Sequence, residues 1–122
     1  MNEVKRAVRV AGQVRGELVV ALRALRDPRL ASVLVSRVEL TDDLQLARVY
    51  VRLEVGGEDE RARRGAIKAL EAAAGRLRRE VGQALGLRYV PDLRFRYDEA
   101  PDAVNRVEEL LREIHTEKKP EE

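Results

Sequence analysis

The stretch that most restricts this chain runs from Lys68 to Asp98, KALEAAAGRLRREVGQALGLRYVPDLRFRYD. Its first part is helical in two phases: Ala69, Leu70, Ala73 and Ala74, then Leu77, Val81, Ala84 and Leu85. Between the phases sits Ala73-Ala74-Gly75. Glycine inside a helix costs about 1 kcal/mol relative to alanine, so Gly75 requires a reason. A kink supplies one: small side chains let two helices meet at an angle and let another backbone approach. On a helical projection Leu77, Val81, Ala84 and Leu85 share a face, and Arg76, Arg79 and Gln83 lie roughly opposite. Gly75, Gly82 and Gly86 form a bare strip between them. Such a strip flanked by guanidinium groups suits a phosphodiester backbone, which needs donors and close contact. A glycine-rich helix packed on a neighbour, with its arginines merely solvated, accounts for the same residues equally well.

The rest of the chain fits around this stretch. Val4, Ala7, Val8, Ala11, Val14, Leu18, Ala21, Leu22 and Leu25 recur at helical steps, predicting a helix over 3–26. It stops at Asp27-Pro28-Arg29, because a residue before proline is pushed out of the helical region. Ser32–Leu40 favours strand, with Leu34, Val38 and Leu40 on one face and Val33, Val35 and Arg37 on the other. Thr41-Asp42-Asp43 is turn chemistry, and Leu44–Val55 alternates as a half-buried strand, completing a hairpin. Leu93, Phe95 and Tyr97 alternate with Arg94, Arg96 and Asp98 as a third strand. Asp102 is positioned to cap a final short helix carrying Val104, Val107, Leu110, Leu111 and Ile114. The order α-β-β-α-(kink)-α-β plus a C-terminal helix predicts a two-layer α+β domain with a three-stranded sheet over residues 1–115. A charged flexible tail is expected over 116–122.

Charge is partitioned along the chain. Residues 1–30 carry seven basic and three acidic side chains, 31–60 three and seven, 61–96 ten and three, and 97–122 four and nine. A fold that joins the two basic segments is bipolar and favours a polyanion on one side. Catalysis has little to work with. There is no cysteine, and the sole histidine, His115, falls near the chain end, which excludes thiolate chemistry, a histidine triad and a zinc site. Asp42 with Asp43, or Asp98 with Glu99, are explained as turn and cap residues more simply than as a carboxylate pair. No P-loop or dinucleotide fingerprint is present, and no cofactor or metal is expected. No apolar run approaches the roughly 20 residues that cross a bilayer, so no membrane partner is expected and the chain reads as cytoplasmic.

The element order with its small-residue kink resembles the type II KH domain, and within it the bacterial ribosome-binding factor A family. The resemblance rests on Asp27-Pro28-Arg29-Leu30, on Asp43-Leu44, Ala47 and Val49-Tyr50-Val51, on Gly75 with Leu77-Arg78, and on Leu87-Arg88 with Pro91, Leu93, Phe95 and Asp98. These occur in family order over roughly residues 3–115. In the family an Ala-X-Gly kink, here Ala73-Ala74-Gly75, replaces the usual KH GXXG loop. One departure is Glu99-Ala100-Pro101, where a serine is common. The resemblance implies a non-catalytic factor that binds the small (30S) ribosomal subunit and its 16S rRNA. It also implies a role in late subunit maturation, including 5′-end processing and cold adaptation. A monomer is expected, with other assembly factors as further partners.

A KH-like domain grips RNA through backbone donors and basic side chains around its kink, with little aromatic stacking. The expected RNA contacts are therefore Ala73, Ala74 and Gly75 at the kink, with Arg76, Arg79 and Lys68 beside it, Arg6 and Arg9 on the first helix, and Arg88 after the pair. Arg78 also belongs to this set, although its place beside the apolar face fits packing or an internal ion pair equally. Arg29 reads as structural; Arg94 and Arg96 read as solvent-facing or functional alike; Tyr50 reads as sheet cover rather than as a base platform. The alternative from another class is a KH-like protein-interaction or scaffold domain.

Overall fold

The first helix ends at Arg26, left-handed at φ 53°, and Asp27 is extended as a residue ahead of Pro28 must be. The computed structural model describes residues 2–117. The first helix, α1 (Asn2–Leu25), buries Ala7, Val10, Ala11, Val14, Leu18, Ala21 and Leu22. Val4 and Val8, counted with this stripe in the sequence, are exposed, because the buried stripe runs through Val10 instead. A short 3-10 turn, Pro28–Leu30, leads into the sheet, its Leu30 buried.

Strand β1 (Val33–Leu40) pairs antiparallel with β2 (Leu46–Leu53), and β3 (Asp92–Tyr97) pairs parallel with β2. The order β1-β2-β3 makes β2 the central strand. The simple alternation expected for β1 does not hold. The register of β1 shifts between Val35 and Arg37, so Ser36 is an extra residue that reverses the alternation. Val33, Val35, Val38 and Leu40 therefore all turn toward the core, while Leu34 is half exposed on the opposite face. Ala47, Val49 and Val51 of β2 are fully buried, with Leu93 and Phe95 of β3 beside them.

The predicted helix pair is one uninterrupted helix, α2 (Glu60–Leu85). Asp59 caps its start by accepting from the Arg61 N–H, and Gly86 ends it in the left-handed conformation at φ 64°. Gly75 does not break it. A single glycine costs only about 1 kcal/mol, and the fully buried Leu70, Leu77 and Val81 hold the segment on either side. Both α1 and α2 pack over the same face of the sheet in one core of Val14, Leu18, Leu70, Leu77, Val49 and Phe95. The two basic segments α1 and α2 thus lie side by side.

The final helix, α3 (Ala100–Glu117), is longer than expected and differently held. Asp98, not Asp102, serves its first turn, accepting from the Ala100 N–H at 3.2 Å. Asp102 instead accepts from Arg52 at 3.0 Å and pairs with Arg63 at 3.3 Å, anchoring α3 to β2 and α2. The helical stripe Val104, Val107, Leu110, Leu111 and Ile114 is exposed. His115 and Thr116 lie within α3, and the tail residues 118–122 fall outside the described residues.

Candidate nucleic-acid interface

Steps of four, seven and four residues place Arg64, Lys68, Gly75 and Arg79 on one outward face of α2. All four are exposed, and Arg76 is exposed beside them. Arg6 and Arg9 are exposed on α1. At Gly75 an added Cβ would meet nothing within 4 Å, so the backbone there lies open to an approaching chain. The rest of the glycine strip has other tasks. A Cβ on Gly82 would lie 2.5 Å from Cγ2 of Val90, so Gly82 is buried by the loop that follows the helix. Gly86 provides the left-handed cap, with the Leu87 N–H donating to the Gly82 carbonyl at 3.0 Å. The bare strip reduces to Gly75.

Arg78 is spent on the fold. Its guanidinium donates to the carbonyls of Val90 at 2.8 Å and Pro91 at 3.1 Å, tying α2 to the start of β3. Ala73 and Ala74 pack against the core, and Ala74 and Gly75 form one wall of a groove of about 620 Å³. Strand β3 forms the other wall, through Asp92 to Arg96. Because β3 pairs only with β2 among the described residues, its outer edge presents unpaired backbone donors and acceptors along this groove. Nearer the start of α2 a second trough, sharing Glu71 with the first, is lined by Glu58, Glu60 and Glu99 as well as Arg64 and Lys68. These carboxylates repel a polyanion, so the Gly75 end is the favourable one.

Several cations are neutralised internally. Arg15 donates to the Val35 carbonyl at 3.0 Å, where β1 bulges, and Arg29 pairs with Asp27 at 2.9 Å. Hydrogen bonding from Arg29 holds the Asp27 carboxyl below its ordinary range, and hydrogen bonding from Arg52 does the same for Asp102. By contrast Arg6, Arg9, Lys68, Arg76 and Arg79 make no ion pair or side-chain hydrogen bond with any described residue. Arg88, exposed in the loop after α2, lies 5.5 Å from the Tyr89 ring. Three further unpaired cations escaped the sequence reading as a group: Arg48, Arg94 and Arg96 on the strands. Among the described residues no cluster of three His, Cys, Asp or Glu could hold a metal, and no helix is long and apolar enough to cross a membrane.

The profile of the family described as Ribosome-binding factor A matches residues 6–111. Ribosome-binding factor A of Sorangium cellulosum is 66% identical over 111 residues, covering 91% of this chain and 90% of that protein. That of Brevibacillus brevis is 42% identical over 118 residues, 96% of this chain and 94% of that one. The crystal structure of ribosome-binding factor A from Thermus thermophilus superposes with a TM-score of 0.67 at 30% identity, over 77% of this chain and 97% of that chain. A homology model of the Thermus thermophilus factor, fitted into a cryo-EM map of its complex with the 30S subunit, gives a TM-score of 0.63 at 31% identity, over 76% of this chain and 96% of that chain. The three helices and mixed three-stranded sheet are thus the KH-like α+β architecture of these relatives, and the chain belongs to the ribosome-binding factor A family.

Proposed function

We propose that this chain is a cytoplasmic, non-catalytic factor that binds the free small (30S) ribosomal subunit through 16S rRNA. It assists late maturation of that subunit, including 5′-end processing of its rRNA and growth in the cold. The observation that carries the reading is the groove at Gly75. An open backbone position and an unpaired strand edge line one groove, the unneutralised Lys68 and Arg79 lie on the same outward face of α2 as Gly75, and Arg76 is exposed on the adjoining face. Cations engage phosphates, and the strand edge offers donors and acceptors to bases. Arg6 and Arg9 extend the positive surface along α1, and Arg88 extends it past α2. Binding energy alone does the work: docking favours one rRNA arrangement and excludes other ligands until release. The relative seen on the 30S subunit and the family membership support this reading.

Cosedimentation with isolated small subunits, large subunits and assembled ribosomes across a salt series tests it. Binding selective for free small subunits is expected, with log affinity falling against log salt by about 0.7 per phosphate contacted on single strands. The folded double variant Arg76→Glu/Arg79→Glu loses it. Binding that is insensitive to salt contradicts the RNA reading and favours the alternative of a protein-interaction domain. That alternative has one observation on its side, the exposed apolar stripe of α3.

A further inference from the structure

Because α1 and α2 cover only one face of the sheet, the other face is open, and its composition is unusual. The register brings together Arg37, Tyr50 and Arg96 in one row across the three strands, and Glu39, Arg48 and Arg94 in the next. Arg48 and Arg94 are direct cross-strand partners, an arrangement in which like charges destabilise a sheet. Neither makes an ion pair or side-chain hydrogen bond with a described residue, and Glu39 lies 3.7 Å from Arg37 rather than pairing with Arg48. Basic residues are a common defence of sheet edges, which accounts for Arg94 and Arg96 on the edge strand β3. It does not account for Arg48, which sits on the central strand.

We propose that this open sheet face is a second RNA-binding surface, meeting the Gly75 groove along β3, where Arg94 and Arg96 line both, and that on it a single RNA strand lays its phosphates across Arg48 and Arg94 and a base against Tyr50. A phosphate between the two guanidinium groups removes the repulsion that the sheet otherwise carries. Arg94 and Arg96, two residues apart on one face, are separated by about 7 Å, suited to successive phosphates of a strand. The Arg37 guanidinium already lies over the Tyr50 ring at 4.1 Å, and an aromatic ring flanked by cations is the recurrent platform for single-stranded nucleic acid. Asp92 and Glu39 mark the limits of the surface, since each places a carboxylate at its margin.

The inference extends RNA binding to a new face, and its test does not require a ribosomal particle. The probe is a fluorescein-labelled single-stranded uridine 15-mer, with isolated small subunits as a second arm. Arg48→Gln/Arg94→Gln removes the like-charge pair, so it folds with a higher urea midpoint at low salt than the parent. It is expected to weaken oligonucleotide binding tenfold or more and to lower the salt slope by about 0.7, the share of the one single-strand phosphate held between the two guanidinium groups. Arg48→Lys/Arg94→Lys retains most of the affinity, and ultraviolet crosslinking attaches the oligonucleotide to the peptide containing Tyr50. A folded glutamine variant with parental affinity and slope for both probes overturns the proposal. So does a glutamine variant that loses only the parent's binding to a poly-glutamate peptide, which assigns the face to an acidic protein. If the parent ignores ribosomal particles but binds the oligonucleotide in a manner that Arg48→Gln alone weakens, Arg48 lying outside the Gly75 groove, the ribosomal reading fails and this one stands.

Discussion

Gly75 and Gly82 lie on the same side of α2, and only their surroundings distinguish them. A methyl group on Gly82 collides with Val90, whereas one on Gly75 enters open space. Gly82→Ala is therefore expected to destabilise the protein by about 1–3 kcal/mol through overpacking. Gly75→Ala is expected to raise stability by about 1 kcal/mol through helix propensity while weakening binding to small subunits. Urea unfolding of the two variants beside small-subunit cosedimentation checks both; a destabilised Gly75→Ala would mean the position serves the fold. The shared strip was legible in the sequence because helical spacing places glycines reliably. What occupies it was not, since Val90 reaches Gly82 only after the chain has turned through Gly86. Arg78 shows the same division: its place beside the apolar face was readable, but its carbonyl partners in the loop were not.

At the scale of elements, α3 is secured at one end. Its only side-chain links to other elements among the described residues run from its first turn and the residues before it to Arg52 and Arg63. The Asp102 carboxyl is held below its ordinary value chiefly by hydrogen bonding from Arg52. A depressed carboxylate contributes stability that is present above its unfolded pKa, about 3.9, and is lost as pH falls through the folded value. Hydrogen exchange over the first turn of α3 should therefore accelerate as pH drops from 5 toward 3, after correction for intrinsic exchange. Asp102→Asn should show the faster exchange already at pH 7 and little further change. If the variant retains the acid response, another group anchors the helix. The helix itself was legible from its stripe, but whether the stripe is covered was not, because periodicity identifies an amphipathic helix without naming what covers it. The β1 bulge was illegible for a related reason. An extra residue at Ser36 exists only relative to the partner strand, and the alternation read without that partner put Leu34 on the face of Val38 and Leu40.

For the molecule as a whole, segment charge singled out the two basic segments that the fold sets side by side as α1 and α2, but it concealed the sheet face. Residues 31–60 sum to a negative charge because Asp42, Asp43, Glu58 and Asp59 crowd the turns, while Arg37, Arg48 and Arg52 gather on the strands. Position relative to the pleat, not the sum, decides what a partner meets. The parallel pairing of β2 with β3 spans the whole of α2, so contacts distant in sequence must form before the sheet is complete. A nascent chain arrested with only residues 1–90 outside the exit tunnel should accordingly be cut readily by protease, and one exposing 1–105 should resist. Equal resistance would show that α1, α2 and the hairpin are stable alone. Strand β3 supplies a wall of the Gly75 groove and half of the Arg48–Arg94 pair. During synthesis, then, neither surface exists until the last strand has docked, and both arise in that one event: an unfinished copy carries basic helices but no site.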